Sequence, residues 1–221
     1  MRQFAVIGLG RFGMTVAETL AKKGAPVLAI DSDPDVIERV KDMVSDAIQM
    51  DSTDESALRQ SGVLDVDVVV VSIGECVEAS ILTTALLKRM GAKMIVARAN
   101  SDIHGQILKL VGADRVVYPE YDEGVRIANT IFLPSILERV EFPGGITLTE
   151  MRAPKKFVGK TLSELQLRTK YGINVVFFKR EGAKKGEPET RFVPKPDYRI
   201  SKDDIMVIVG DTKAIESLHQ K

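Results

Sequence analysis

Six residues near the start of the chain, Gly8-Leu9-Gly10-Arg11-Phe12-Gly13, constrain its fold more than any others. On its own a G-x-G-x-x-G string is weak, because glycines are common and the spacing recurs by chance. Here it directly follows an apolar, strand-like run (Phe4 to Ile7) and leads into a helical pattern (Met14 to Lys23), and a carboxylate, Asp31, ends the next strand-like run at about the spacing of 20 residues expected of a dinucleotide cradle. Each position has a physical task. Gly8 permits a tight turn, Gly10 lets backbone N–H groups approach a phosphate without a clashing Cβ, and Gly13 lets helix and strand pack closely. The helix start then presents free N–H donors and the positive end of its dipole to an anion. The alternative is a plain tight turn, with Asp31 capping the helix that begins at Pro34.

The rest of the N-terminal part repeats the same rhythm. Six strands are expected, Phe4 to Ile7, Val27 to Ile30, Ala47 to Met50, Val66 to Val71, Met94 to Ala97 and Arg115 to Val117, with helices between them at Met14 to Lys23, Val36 to Met43, Ala79 to Met90 and Ile103 to Val111. Gly24, Gly91 and Gly112 follow three of these helices, where a left-handed cap is common. The run from Val66 to Val71 is β-branched at every position but Asp67, which fits a central strand buried on both faces. The expected architecture is α/β, a Rossmann-type doubly wound parallel sheet over residues 1–136. After a helix from about Glu123 to Leu133 that ends at Pro134, Phe142-Pro143-Gly144-Gly145 suggests a linker over 137–145. A small α+β domain follows over 146–221, with strands Ile146 to Met151, Asn174 to Lys179 and Ile205 to Val209, helices Leu162 to Lys170 and from about Thr212, and a basic hairpin tip between Glu181 and Pro188.

Composition narrows the function classes. Lys plus Arg and Asp plus Glu both number 31, so no global field attracts nucleic acid or an anionic membrane. The densest apolar run, Val66 to Ile73, is broken by Asp67 and Ser72 and falls short of the ~20 residues of a membrane helix. With a single cysteine and no leader-like opening, the expected location is cytoplasmic, any membrane association coming through a partner.

Around the glycine loop the candidate ligand contacts form a set. Asp31 can accept from both ribose hydroxyls and would repel a 2′-phosphate, and Ser32 lies beside it. Asp51 and Ser52 end the third strand, where a carboxylate can accept from an adenine amino group or, equally well on sequence, belong to the cap of a helix near Ala57. Gly74 and Arg98 end strands four and five at the sheet edge where ligands of open α/β folds bind. Arg11 is unusual inside such a loop. Its guanidinium can bind extra phosphate oxygens bidentately, as a terminal phosphate of ADP or ATP would require, or it can be a solvated helix-start arginine.

Catalytic candidates are sparse. His104 and His219 read as helix-surface histidines, and Cys76, at a helix start with no histidine nearby in sequence, reads as a small semi-buried residue. No nucleophile triad or metal-ligand spacing occurs, so an enzyme, a NAD-dependent oxidoreductase, is the second reading, with a NAD(H)-sensing module a third.

Four segments, F-A-V-I-G-L-G-R-F-G from Phe4, A-S-I-L-T-T-A-L-L-K over 79–88, G-A-D-R-V-V-Y-P-E over 112–120 and K-Y-G-I-N-V over 170–175, resemble the cytoplasmic RCK (KTN) regulatory subunits of bacterial Ktr and Trk potassium-uptake systems, more closely the Ktr type. The resemblance spans essentially the whole chain. It implies a homodimer assembling into a ring, typically an octamer, docked on a membrane potassium translocator that it gates, with ATP and ADP competing for the loop. It also implies that Arg11 reaches a terminal phosphate, that Glu120 helps hold Mg²⁺ or another divalent cation near the phosphates, and that Arg168 and Asn174 fall where many relatives bind cyclic di-AMP.

Overall fold

The structure, a computed structural model, describes residues 1–132, 136–180 and 190–218, Thr190 by its backbone alone. Its elements run β1 (Phe4–Ile7), α1 (Arg11–Lys22), β2 (Val27–Asp31), α2 (Pro34–Val40), β3 (Asp46–Gln49), α3 (Glu55–Gln60), β4 (Val68–Val71), α4 (Val77–Arg89), β5 (Ile95–Arg98), α5 (Asp102–Leu110), β6 (Arg115–Val117) and α6 (Pro119–Phe132). They continue with β7 (Ile136–Phe142), β8 (Ile146–Arg152), α7 (Leu162–Leu165), α8 (Leu167–Tyr171), β9 (Ile173–Arg180), β10 (Thr190–Phe192), β11 (Asp204–Asp211) and α9 (Thr212–Ser217). The chain divides into two compact units, Met1–Glu123 and Gly124–Lys221.

The first unit is built on a parallel sheet of order β3-β2-β1-β4-β5-β6. β4 pairs in register with β1 and β5, and Val68, Val69, Val70 and Val71 are all buried, as a central strand covered on both faces must be. Two apolar clusters, one with Ile7, Ile30, Leu87, Ile95 and Leu108 and one with Val6, Ala17, Val27 and Val70, sandwich the sheet. Each fully buried branched side chain contributes on the order of 1.5–3 kcal/mol. The helix starts are set by side-chain caps: Asp33 accepts from Asp35 N–H, Asp54 from Ser56 and Ala57 N–H, and Ser101 from His104 N–H. The cap of α2 is thus Asp33 and not Asp31, and that of α3 is Asp54 and not Asp51.

The second unit is an antiparallel sheet of order β10-β9-β11-β8-β7 over a core that includes Met151, Phe157, Phe178, Ile208 and Ile215. This corrects the expected linker. Residues 136–142 are a strand paired antiparallel with β8, and Pro143-Gly144-Gly145 form the hairpin turn between them, with φ of +89° at Gly144 and +77° at Gly145. The punctuation that suggested a break between domains is the tight turn of a hairpin within one sheet. Asp204, 0% exposed, organises the far end of this unit. Its Oδ1 accepts from Arg180 Nε and Nη2 at 3.1 and 2.7 Å, and its Oδ2 accepts from Tyr198 OH at 2.7 Å and Ser201 N–H at 2.8 Å. Burial, then the hydrogen bond to Asp204, push the Tyr198 phenol up to about 12. The basic hairpin tip, Pro134 and His219 lie outside the described residues.

Candidate nucleotide-binding site

β1 lies between β2 and β4, so the connections leaving its carboxyl end and that of β4 run to opposite sides of the sheet and open a crevice there. The glycine loop lines it. Gly8 has φ +85°, a conformation side chains rarely adopt, and a Cβ there would meet Ile73 N at 3.0 Å. A Cβ on Gly13 would lie 2.0 Å from Gly8 O and 2.4 Å from Ser72 Oγ, so α1 rests directly on the strand below it. A Cβ on Gly10 would meet nothing within 4 Å. Gly10 is also the N-cap of α1 and offers no side-chain hydrogen bond, which leaves the first N–H groups of a 12-residue helix open toward that space. A phosphate fits this donor set and this clearance. Arg11 is exposed beside it and Phe12 is half-buried.

Asp31 is already engaged. Its Oδ2 accepts from Leu9 N–H and its Oδ1 from Asp33 N–H at 3.0 Å, so the carboxylate ties the glycine loop to the end of β2. Ser32 is exposed next to it. At the end of β3 the two candidates separate. Asp51 is exposed and its Oδ1 accepts from the Thr53 hydroxyl and N–H, contacts that hold its carboxyl below the usual range. Ser52 is buried and shares a 2.8 Å hydrogen bond with Thr83 Oγ1 on α4, so its hydroxyl ties the segment after β3 to α4.

Across the crevice, a Cβ on Gly74 would fall 2.0 Å from Arg98 Nη1 and 3.3 Å from Nη2, so the Nη1 end of the guanidinium lies against that glycine. Arg98 Nη2 donates to Glu120 Oε1 in an ion pair at the start of α6. Burial raises the Glu120 carboxyl and the Arg98 hydrogen bond lowers it, with the net below the usual value. The expected contacts from β4, β5 and α6 are therefore brought together, while Arg168, exposed on α8, and Asn174, exposed on β9 opposite Val209, belong to the second unit. No group of three or more metal-ligating side chains occurs among the described residues.

Three residues play parts not read from the sequence. Ser72 is 3% exposed and its hydroxyl reaches Gly8 O at 2.6 Å and Ile7 O at 3.0 Å, pinning the turn from beneath. Its place just after the central strand was the available signal. Cys76 is exposed and not semi-buried, because it is the N-cap of α4, its Sγ accepting from Ala79 N–H at 3.4 Å. His104 is 2% exposed and not on the helix surface, because the Ser101 cap turns the first turn of α5 inward and Asn100 Oδ1 takes Nδ1 at 3.0 Å.

Burial, then the nearby Arg98 charge, push the His104 imidazole below its ordinary value. The unfolded chain takes up its proton near pH 6.5 while the folded chain resists it, so this contribution to stability is complete above that pH and is lost as pH falls below it. Urea denaturation of wild type and His104→Gln between pH 7.5 and 5.5 is expected to show the steeper loss in wild type. Parallel losses would contradict the assignment.

Residues 4–119 match the TrkA-N domain and residues 148–221 the TrkA-C domain. The chain belongs to the TrkA-N/TrkA-C family of RCK subunits. Within that family it is 38% identical over 220 residues to "Ktr system potassium uptake protein C" of Bacillus subtilis, covering 100% of this chain and 97% of that protein. It is 35% identical over 209 residues to "Ktr system potassium uptake protein A" of Vibrio alginolyticus, covering 95% and 92%. Among solved structures, the GsuK RCK domain superposes with a TM-score of 0.67 at 16% identity, covering 100% of this chain and 48% of that one, a likeness of fold. The Shewanella denitrificans Kef C-terminal domain in AMP-bound form matches with a TM-score of 0.51 at 25% identity, over 60% of this chain and 82% of that one. Among the described residues no helix is long and apolar enough to cross a membrane.

Proposed function

We propose that this chain is a nucleotide-sensing regulatory subunit of a potassium uptake system, which binds ATP and ADP at the glycine loop and controls potassium flux through a membrane translocator. The observation that carries the reading is the uncapped start of α1, where Gly10 faces open space and Arg11 stands exposed beside the free N–H groups. The names of the Ktr relatives and the AMP-bound Kef domain support it. Two nucleotides that differ by one phosphate bias a conformational equilibrium only through contacts to that phosphate. Arg11 makes those contacts, Arg98 meets the phosphates from β5, and Glu120 supplies one carboxylate to a divalent cation such as Mg²⁺, which also takes phosphate oxygens and water.

The same reading gives the chain a partner copy. α6 has no buried residue, and Val125, Ile127, Ile131 and Phe132 on it are exposed, 82% in the case of Phe132. Such a helix is covered in a homodimer that closes into a ring, an octamer in this reading. Arg168 and Asn174 are the contacts assigned to cyclic di-AMP in the second unit.

Calorimetry tests the nucleotide reading directly. Arg11→Ala is expected to weaken ATP by about tenfold or more, the worth of one charge-assisted contact, and ADP by much less. An equal loss for both would remove Arg11 as the discriminator. Tighter binding of NADH than of ATP, with steady NADH oxidation in the presence of small acceptors, would favour an oxidoreductase instead.

A further inference from the structure

The end of β5 and the first turn of α5 each hold a buried polar atom that lacks a partner, Arg98 Nε and His104 Nε2. Native proteins pair nearly all such atoms, so two on one short segment call for a physical reason. The tautomer of His104 depends on which group of Asn100 its Nδ1 engages. Two groups of Asn100 face Nδ1, the side-chain Oδ1 at 3.0 Å and the backbone N–H, which donates toward it at 3.4 Å; in the tautomer that uses the shorter contact Nδ1–H donates to Oδ1 and Nε2 is a bare acceptor. The opposite tautomer accepts the Asn100 N–H and leaves Nε2–H and Arg98 Nε–H as two buried donors without acceptors. The backbone holds the ring in place, since Ser101 Oγ accepts the His104 N–H at 3.2 Å.

Arg98 is arranged to complement this. Its Nη1 lies over Gly74 and its Nη2 donates to Glu120, so the fork is turned toward the crevice while Nε is buried. The two side chains already feel each other, the Arg98 charge acting on the imidazole.

We propose that His104 is a positioning residue of the nucleotide site: its Nε2 accepts the Arg98 Nε–H when a phosphate replaces Glu120 as the anion at the fork. The orphaned donor and acceptor are then satisfied together, and the guanidinium is oriented with both outer nitrogens toward the ligand. This rests on the reading of Arg98 as a phosphate contact. An imidazole suits the task better than a carboxylate, because a neutral acceptor orients the guanidinium without competing with phosphate for its charge.

A double-mutant cycle on the full chain tests the proposal, with ATP and ADP affinities measured by calorimetry. His104→Leu is expected to weaken both nucleotides about tenfold, an order of magnitude set by one hydrogen bond to a charged group. His104→Gln, whose amide oxygen reaches the place of Nε2, is expected to restore affinity to within about threefold of wild type. In an Arg98→Ala background His104→Leu is expected to cause no further loss. Additive losses, or equal losses for the Leu and Gln variants, would overturn the proposal, since a merely structural histidine behaves in that way. If His104→Leu does not fold, the ¹⁵N shifts of the wild-type imidazole decide. Nε2 is expected to move from a free toward a hydrogen-bonded value on adding ATP, and an unchanged Nε2 signal overturns the idea. Failure of the underlying reading looks different: Arg98→Ala would itself bind both nucleotides with full affinity.

Discussion

Gly13→Ala is expected to abolish nucleotide binding and to lower the melting temperature of the chain by roughly 4–12 °C. The added Cβ would stand 2.0 Å from Gly8 O and 2.4 Å from Ser72 Oγ, and neither is the end of a flexible side chain free to move aside. Ser72 is buried and its hydroxyl is spent on Gly8 O and Ile7 O. Relief therefore requires α1 to lift away from β1, which costs about 1–3 kcal/mol of packing, each kcal/mol being worth ~4 °C in a unit of this size. The same movement turns the first N–H groups of α1 away from the phosphate position. Gly10→Ala is the informative companion, because its Cβ has open space in the free protein and meets only an arriving ligand. Thermal melts with calorimetry on both variants would separate the effects. Undiminished ATP binding by Gly13→Ala would mean that the phosphates lie elsewhere.

The second large effect lies in the other unit. Asp204→Ala is expected to lower the urea midpoint by more than about 1 M. The carboxylate is 0% exposed and accepts four hydrogen bonds, from two nitrogens of Arg180, the Tyr198 hydroxyl and the Ser201 N–H. Removing one partner of a buried ion pair costs about 3–5 kcal/mol, and the partial exposure of the Arg180 side chain, 45%, places this case toward the lower figure. At ~2 kcal/mol per molar urea that corresponds to a shift of about 1.5 M. Tyr198 offers an internal check. Loss of Asp204 should bring its phenol down from about 12, because the acceptor hydrogen bond and the negative charge both disappear while the Arg180 cation stays. Denaturation curves and a spectrophotometric tyrosine titration measure the two. A variant as stable as wild type would show that the pair only breaks even with its desolvation.

These expectations rest on features of unequal visibility in the sequence. The parallel sheet was legible because β1, β2 and β4 are apolar runs whose lengths and breaks match the period of strands, and the glycine loop because its three glycines follow a strand at once. Contacts between residues distant in sequence were not. Ser72 touches Gly8 only because β4 lies beside β1, and Arg98 covers Gly74 only because β5 lies beside β4. Ser52 shows the reverse case, a polar residue at the sheet edge whose hydroxyl is buried against Thr83. The hairpin joining β7 and β8 was misread because Pro-Gly-Gly punctuates a tight turn and a domain linker equally well, and only cross-strand pairing separates the two. His104 was misplaced for a related reason. Helical periodicity near a terminus depends on how the cap sets the first turn, and Ser101 turns that position inward.

The Asp31 carboxylate, which holds Leu9 N–H before any ligand arrives, has a consequence for what such a site reports. In the proposed reading the loop is already shaped, so a ribose bound there exchanges one acceptor for another without having to order the chain, and this exchange is the same for every adenosine compound. The adenosine half then contributes equally to ATP, ADP and NAD, and cancels from any comparison among them. In the proposed reading, once the pool exceeds the weakest of these dissociation constants the pocket is always full, and only the identity of its occupant varies. A subunit of the proposed kind is then indifferent to how much nucleotide surrounds it and responds to the proportions of the mixture.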